Sequence, residues 1–92
     1  MITLETIISR NNDIISTQMD SDTVMMSIEN GKYYGLDPIS GRIWELMEQP
    51  IKTGDMINIL VAEYEVDQYD CERDLLVFLK ELLSQELAGI KP

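Results

Sequence analysis

The sequence predicts an α+β domain in which a three-stranded antiparallel sheet precedes three helices. Short β-branched or alternating segments separated by turns fill residues 14–36, and the hydrophobic period then changes from that of a strand to that of a helix. Strands that come first and helices that follow are typical of α+β folds, because a small sheet needs a helical layer to cover its apolar face. A short hairpin beside three helices also describes a winged helix-turn-helix, and we expect a fold of that kind.

The strands are predicted over residues 14–19, 23–29 and 32–36, with a turn at 20–22. Asn30 and Gly31 predict a two-residue type I′ turn that sets Glu29 opposite Lys32. That register places Tyr33 on the same face as Val24, Met26 and Ile28, and a loop longer by one residue would reverse the faces. The sequence leaves open whether Tyr33 or Tyr34 faces the core.

The helices are predicted from their starts and stops. Asp37 is a good N-cap and is followed by proline, so the first helix begins there and ends near residue 49, before a second proline. Thr53 is expected to cap the second helix and Asp67 the third. The third helix should run to about Glu86, with Gly89 as its stop.

Length and composition predict one domain over residues 1–92, with residues 1–13 as an arm or a short strand. The hydrophobic fraction of 45% is sufficient for a packed core. The first residues do not resemble a signal peptide, and no apolar run is long enough to cross a bilayer. We therefore expect a cytoplasmic protein with no membrane partner.

Charge and reactive residues exclude several classes of function. A formal net charge of −10 repels phosphate backbones, so nucleic acid is not an expected partner. The same acidity either keeps the protein in solution or favours a basic partner, and the first explanation is the simpler one. Without histidine and with a single cysteine, the chain has no internal disulfide, no histidine-dependent triad and no typical zinc site. Cys71 lies between Asp70 and Asp74, whose charges disfavour a thiolate. We expect neither catalysis nor a metal or cofactor.

The third helix carries more apolar surface than one core requires. Its apolar residues form two stripes, Leu76, Leu79 and Leu83 in one and Cys71, Leu75, Phe78 and Leu82 in the other. Either the helix is buried on both sides, or the second stripe lines a groove. A groove beside the open edge of strand 32–36 would bind a peptide by strand addition, with main-chain bonds for affinity and side-chain pockets for specificity.

Residues 34–46 resemble a known family. The strand ends in Tyr-Gly-Leu-Asp, and Pro-x-x-Gly-Arg-Ile-Trp-Glu-Leu follows at 38–46. This pattern is similar to the PqqD-like family, also called RiPP recognition elements, and is closest to the small discrete members of lasso-peptide biosynthesis. Ile57, Leu60 and the segments 64–67 and 74–82 agree with it, so the resemblance covers roughly residues 14–88.

The resemblance implies a winged-helix-like fold and a non-enzymatic function. Members bind the leader segment of a ribosomally made precursor peptide and present it to a leader-removing cysteine protease and an ATP-dependent cyclase. The leader would lie beside strand 32–36 and against the third helix, and Asp70 and Asp74 would suit a basic leader residue. The candidate peptide-binding residues are Lys32, Tyr33, Tyr34, Gly35, Leu36, Asp70, Cys71, Asp74, Leu75 and Phe78.

Two other functions remain as alternatives. One is a recognition module for a different modified-peptide pathway, such as that of pyrroloquinoline quinone. The other is a winged-helix DNA-binding protein, which needs a basic recognition helix, whereas the third helix carries Arg73 and Lys80 among many more carboxylates. A small enzyme is a weaker alternative still, because the chain lacks any catalytic signature.

Overall fold

The structure, a computed structural model, describes residues 2–20, 22–29 and 31–91 and has the predicted α+β class. Its elements in chain order are β1 (Ile7–Arg10), β2 (Ile14–Met19), β3 (Asp22–Ser27), β4 (Tyr33–Leu36), α1 (Pro38–Leu46), β5 (Ile51–Lys52), α2 (Thr53–Tyr64), α3 (Gln68–Ser84) and β6 (Ala88–Lys91). The strands form two antiparallel three-stranded sheets, one in the order β2-β3-β4 and the other in the order β5-β1-β6. No helix of the described chain is long and apolar enough to cross a membrane.

The β2-β3-β4 sheet is the predicted one, but its second turn is longer than expected. The Ser27 amide donates to the Lys32 carbonyl at 2.9 Å, and the Gly31 amide donates to the Ser27 carbonyl at 2.8 Å, so residues 28–31 form the loop. The prediction of a two-residue turn with Glu29 opposite Lys32 is therefore wrong. Asn30, like Ser21 in the preceding predicted turn, lies outside the described residues.

The observed register nevertheless keeps Tyr33 and Tyr34 on the two faces that were predicted for them. Met26 pairs with Tyr33 and Met25 with Tyr34, because the loop moved the register by an even number of residues. Tyr33 thus shares a face with Met26, as predicted, but this face points away from the core. Met25 is fully buried and Tyr34 packs against the same core. The question left open by the sequence is resolved in favour of Tyr34 as the inner residue.

The second sheet was not predicted, apart from the suggestion of a short strand within residues 1–13. β1 lies at its centre and pairs with β5 and with β6. Gly89 does not stop α3, since it lies in β6 opposite Ser9. The helix ends earlier, and Glu86 adopts a left-handed φ of 60° while the Leu87 amide donates to the Leu82 carbonyl at 2.9 Å.

Two of the three predicted N-caps are found in the structure. The Asp37 carboxylate accepts from the Ser40 amide at 2.8 Å, and Asp67 accepts from two amides of α3 at 2.9 and 3.1 Å. Thr53 is not a cap, because it is the first residue of α2 and its buried hydroxyl donates to the Thr6 carbonyl at 2.9 Å. That bond ties α2 to the segment before β1 instead.

The core joins the β2-β3-β4 sheet to the helices through α1. Trp44 is almost fully buried, and its indole nitrogen donates to the Ser16 hydroxyl at 3.1 Å. Gly41 lies directly on β3, where a Cβ would come within 2.6 Å of the Thr23 hydroxyl oxygen. Only glycine lets α1 approach the sheet this closely, and this approach positions the helix beside the end of β4.

The division of α3 into two stripes differs from the prediction. Its buried line is Leu75, Leu79 and Leu82, which takes residues from both predicted stripes. Half-buried apolar residues flank this line on both sides, namely Cys71, Leu76, Phe78 and Leu83. The helix is therefore packed more widely than a single stripe would allow, as in the alternative considered from the sequence.

Candidate functional site

The free edge of β4 is the most distinctive feature of the backbone. β4 lies at the end of its sheet, and within residues 2–20, 22–29 and 31–91 only β3 pairs with it. The N-terminal segment does not cover this edge, because β1 pairs in the other sheet. An open edge is a template for a further strand.

The register shows which backbone groups of β4 point outward. Residues of an antiparallel pair alternate between hydrogen-bonded and non-hydrogen-bonded positions, and the bond from Ser27 to Lys32 fixes the alternation. Tyr34 and Leu36 therefore direct their amide and carbonyl groups at β3. Tyr33 and Gly35 direct theirs away from the sheet, where an added strand would meet them.

A first cleft lies between α1, α2 and the first half of α3. Its volume is about 440 Å³. Its lining residues are Asp37, Ile39, Ser40, Ile43, Leu60, Tyr64, Val66, Asp67, Asp70, Cys71, Asp74, Leu75 and Phe78. Apolar side chains thus form the floor, and four carboxylates lie around it.

A second cleft continues the first along β4 and the later half of α3. Its volume is about 340 Å³, and its lining residues are Met25, Tyr34, Gly35, Leu36, Asp37, Ser40, Phe78, Glu81, Leu82, Gln85 and Leu87. Asp37, Ser40 and Phe78 line both clefts, so the two form one trough beside β4. The Tyr34 hydroxyl is buried and has no hydrogen-bond partner in the described part of the chain, which costs on the order of 1 kcal/mol.

The structure brings most of the predicted site residues together. The first cleft includes all five that were predicted on α3, which are Asp70, Cys71, Asp74, Leu75 and Phe78. Tyr34, Gly35 and Leu36 line the second cleft. Lys32 and Tyr33 line neither, and the Tyr33 side chain is exposed on the opposite face of the sheet.

The walls from α1 and α2 were missed by sequence reasoning. Ile39 of α1 is exposed and lines the first cleft. Tyr64 and Val66 also line it, and both are exposed apolar residues at the end of α2. The sequence does contain a signal for this wall, because apolar residues continue past the end of the second helix. The pairing of these walls with α3 depends on tertiary packing alone.

An ion pair links the two walls that face α3. The Arg42 guanidinium of α1 donates to both carboxylate oxygens of Glu63 on α2, at 3.0 and 2.8 Å. Hydrogen bonding to this guanidinium lowers the pKa of Glu63, and the same contact raises the pKa of Arg42. The Arg42 and Glu63 side chains are 32% and 36% exposed, and an ion pair with this much access to water contributes little to stability.

The acidic side of the first cleft retains unneutralised charge. Arg73 contacts Asp70 at 3.3 Å and Asp74 at 3.4 Å, and all three side chains are exposed. Asp37 and Asp67 act as helix caps and keep their carboxylates at the same cleft. Arg73 thus contacts two of the four carboxylates that line the cleft, and the remaining negative charge favours a cationic group there.

The first cleft includes the thiol of Cys71. Burial, and then the charge of Asp74, raises the pKa of the Cys71 thiol above its ordinary value. A raised pKa leaves less thiolate at neutral pH, and the thiolate is the reactive form. Cys71 therefore acts here as part of the apolar lining. Leu75 is only 2% exposed, so it forms the floor, whereas the half-buried Phe78 lies where the two clefts meet.

Comparison with known proteins identifies relatives of this chain. The family model described as coenzyme PQQ synthesis protein D (PqqD) matches residues 22–88. A solved structure of TbiB1 in complex with the TbiA(beta) leader peptide is 33% identical, covers 88% of this chain and 94% of its own, and has a TM-score of 0.81.

A second solved structure has the same fold at lower identity. It is a lasso peptide synthetase B1 complexed with the leader peptide, is 24% identical and has a TM-score of 0.79. It covers 89% of this chain and 96% of its own. No curated protein matches the chain.

Proposed function

The chain belongs to the PqqD family, and we propose that it binds the leader segment of a ribosomally made precursor peptide of the lasso type. The observation that carries this proposal is the open edge of β4 lying beside a trough whose first cleft has an apolar floor. The relative that was solved with the TbiA(beta) leader peptide supports it, since it spans almost the whole of this chain.

The leader would bind as an added strand. Its backbone would pair with the outward amide and carbonyl groups of Tyr33 and Gly35, each bond contributing about 1 kcal/mol net. Alternate leader side chains would enter the trough and contact Phe78, with an apolar residue over the floor of the first cleft. A basic leader residue would lie close to Asp70 and Asp74, which Arg73 only partly neutralises.

We further infer that the protein acts by presentation and not by catalysis. The bound leader would be offered to a leader-removing cysteine protease and to an ATP-dependent cyclase. The lack of histidine and the raised pKa of Cys71 support a non-catalytic role. As part of the same proposal, the fold is of the winged helix-turn-helix type and the protein is located in the cytoplasm.

A second candidate is a leader-binding module of a different peptide pathway. The matching family model is described by PQQ synthesis, and this description favours that alternative. The trough and the open edge would serve either peptide. The genes beside this one distinguish the two, because lasso pathways encode a protease and a cyclase.

Fluorescence anisotropy of a labelled leader tests the proposal. The probe is the leader of the precursor encoded beside this protein, with the TbiA(beta) leader as a reference. We expect a dissociation constant of about 0.1–10 μM. Phe78→Glu should weaken binding by at least about 100-fold, because a carboxylate would occupy the junction of the two clefts.

Val77→Glu is the matched control. It places the same charge on the next residue of α3, where the side chain is 61% exposed and lines neither cleft. This variant should bind the leader within about twofold of the wild type, since surface substitutions away from a site have small effects. Equal affinities for the two variants would remove the trough from the proposal.

A further inference from the structure

The Tyr34 hydroxyl is the one buried side-chain nitrogen or oxygen that lacks a hydrogen-bond partner in the part of the chain that the structure describes. Buried polar groups in native proteins nearly always have a partner, because a hydroxyl that leaves water without forming a new bond destabilises the fold. Tyr34 also lines the second cleft of the trough. The free protein therefore holds an unused hydrogen-bonding group at the site where the leader is proposed to bind.

The register places Tyr34 where an added strand comes closest. Tyr34 directs its backbone groups at β3, so it would occupy a non-hydrogen-bonded position towards an antiparallel strand added at the open edge. At such positions the Cα atoms of paired residues are about 4.5 Å apart, and their side chains make the closest cross-strand contacts. The leader residue opposite Tyr34 would therefore place its side chain beside the tyrosine ring, on the face of the second cleft.

The second cleft offers further hydrogen-bonding groups beside this position. Its lining includes the Glu81 carboxylate and the Gln85 amide, which lie one helical turn apart on α3. Both residues are exposed, and neither side chain forms a hydrogen bond or an ion pair with another described residue. Exposed side chains without partners change rotamer readily, so they can admit an entering side chain and then bond to it. The floor of the first cleft, in contrast, is apolar.

We propose that Tyr34 determines which leader residue is accepted opposite it, by a hydrogen bond between its hydroxyl and a polar, non-acidic side chain of the leader. The inference rests on the proposed leader binding and adds to it the chemistry of one leader position. The Glu81 carboxylate would accept a hydrogen bond from the same side chain, whereas a leader aspartate or glutamate would be repelled by Glu81 and Asp37. An apolar side chain would leave the hydroxyl unpaired in the complex.

This role gives the hydroxyl opposite effects on stability and on binding. In the free protein the hydroxyl is buried without a bond, so it lowers the free energy of unfolding. In the complex it is paired, so it favours leader binding. A hydroxyl that bonded to a buried water molecule would instead stabilise the free protein, and its removal would lower the melting temperature. The two effects together distinguish the proposed role from a structural one.

Tyr34→Phe and Tyr33→Phe form a matched pair for testing the proposal. Each removes only a hydroxyl from β4, but the Tyr33 side chain is 72% exposed and lies on the opposite face of the sheet. Thermal unfolding measures stability, and anisotropy measures affinity for the labelled leader. Tyr34→Phe should raise the melting temperature by about 3–6 °C and weaken leader binding about fivefold to twentyfold. Tyr33→Phe should change neither quantity.

Alanine scanning of the leader identifies the side chain that Tyr34 contacts. Each leader residue is replaced by alanine in turn, and each peptide is titrated against the wild type and against Tyr34→Phe. At one polar position, alanine should weaken binding to the wild type at least about fivefold but weaken binding to Tyr34→Phe only about twofold, because the bond to the hydroxyl is already lost.

Several outcomes would overturn the role of Tyr34. Wild-type leader affinity in Tyr34→Phe would show that the hydroxyl makes no bond to the leader, and an unchanged or lower melting temperature would show that it already has a partner in the free protein. A scan with no coupled position, or with an apolar or acidic one, would remove the polar leader side chain. Failure of the wild type to bind leader appears before any variant is compared and removes the proposed function itself.

Discussion

β2 and β4 are the two edges of one sheet, yet they differ in what lies beside them. Both direct alternate backbone groups away from β3, and β2 is the longer strand with six residues against four. The trough runs along β4, whereas neither of its clefts includes a residue of β2. An edge alone offers main-chain bonds to any strand, but an edge with a trough also selects side chains. Recognition should therefore be confined to β4.

The largest expected effect is on the free energy of unfolding, and it follows from the alternation of inward and outward backbone groups along β4. Tyr34→Pro removes an amide that bonds to β3 and should cost about 3 kcal/mol or more in the free energy of unfolding. Gly35→Pro removes an outward amide and should cost much less, because edge strands tolerate proline where the amide faces solvent. Urea unfolding compares the two variants. Equal losses would contradict the register that makes β4 an open edge.

The next largest effect is also on stability, and it follows from the close approach of α1 to β3. Gly41→Ala places a Cβ within 2.6 Å of the Thr23 hydroxyl oxygen and should destabilise the fold by about 1–3 kcal/mol, despite the better helix propensity of alanine. In a Thr23→Ala background the clash is removed, so the same substitution should become nearly neutral. A double-mutant cycle from thermal unfolding measures this coupling. An additive cycle would show that the close approach is not what Gly41 provides.

A smaller effect is expected on the alkylation rate of Cys71. Protection of this thiol by the leader would show that the peptide binds on the β4 side of the sheet. Saturating leader should slow its reaction with iodoacetamide by about tenfold, since the thiol lines the first cleft. Because its pKa is raised, the rate without leader should be low at neutral pH and should keep increasing above the pH at which an ordinary thiol is fully ionised. Mass spectrometry measures both rates.

A thiol on the other edge is the control for this experiment. Gln18→Cys in a Cys71→Ser background places an exposed thiol on β2, and leader should leave its alkylation rate unchanged. Protection of the β2 thiol with no protection of Cys71 would place the bound leader at the β2 edge and contradict binding at β4.

Local chemistry explains which parts of the fold the sequence could predict. Asp37 and Asp67 were recognised as caps because a cap depends on a few neighbouring residues. The loop after β3 was predicted too short, since an Asn-Gly pair favours a tight turn that the pairing of Ser27 with Lys32 overrides. β5, with two residues, gave no periodic signal.

Long-range contacts explain what could not be predicted. β1 and β6 pair Ile7 with Lys91 across almost the whole chain, and no local pattern encodes such a pair. In the site, the α3 residues were found because helical spacing is local. The walls contributed by Ile39 and Tyr64 were not, because only packing brings α1 and α2 against α3.

Leader affinity of Gly35→Pro is the most direct test of recognition at the β4 edge. We expect it to fall at least about tenfold, because the peptide loses its bond to the Gly35 amide and meets the proline ring. Gly35→Ala keeps the amide and adds a Cβ with nothing within 4 Å, and Gln18→Pro alters the β2 edge, so both should bind like the wild type. Wild-type affinity in Gly35→Pro, or a loss in Gln18→Pro alone, would contradict strand addition at β4.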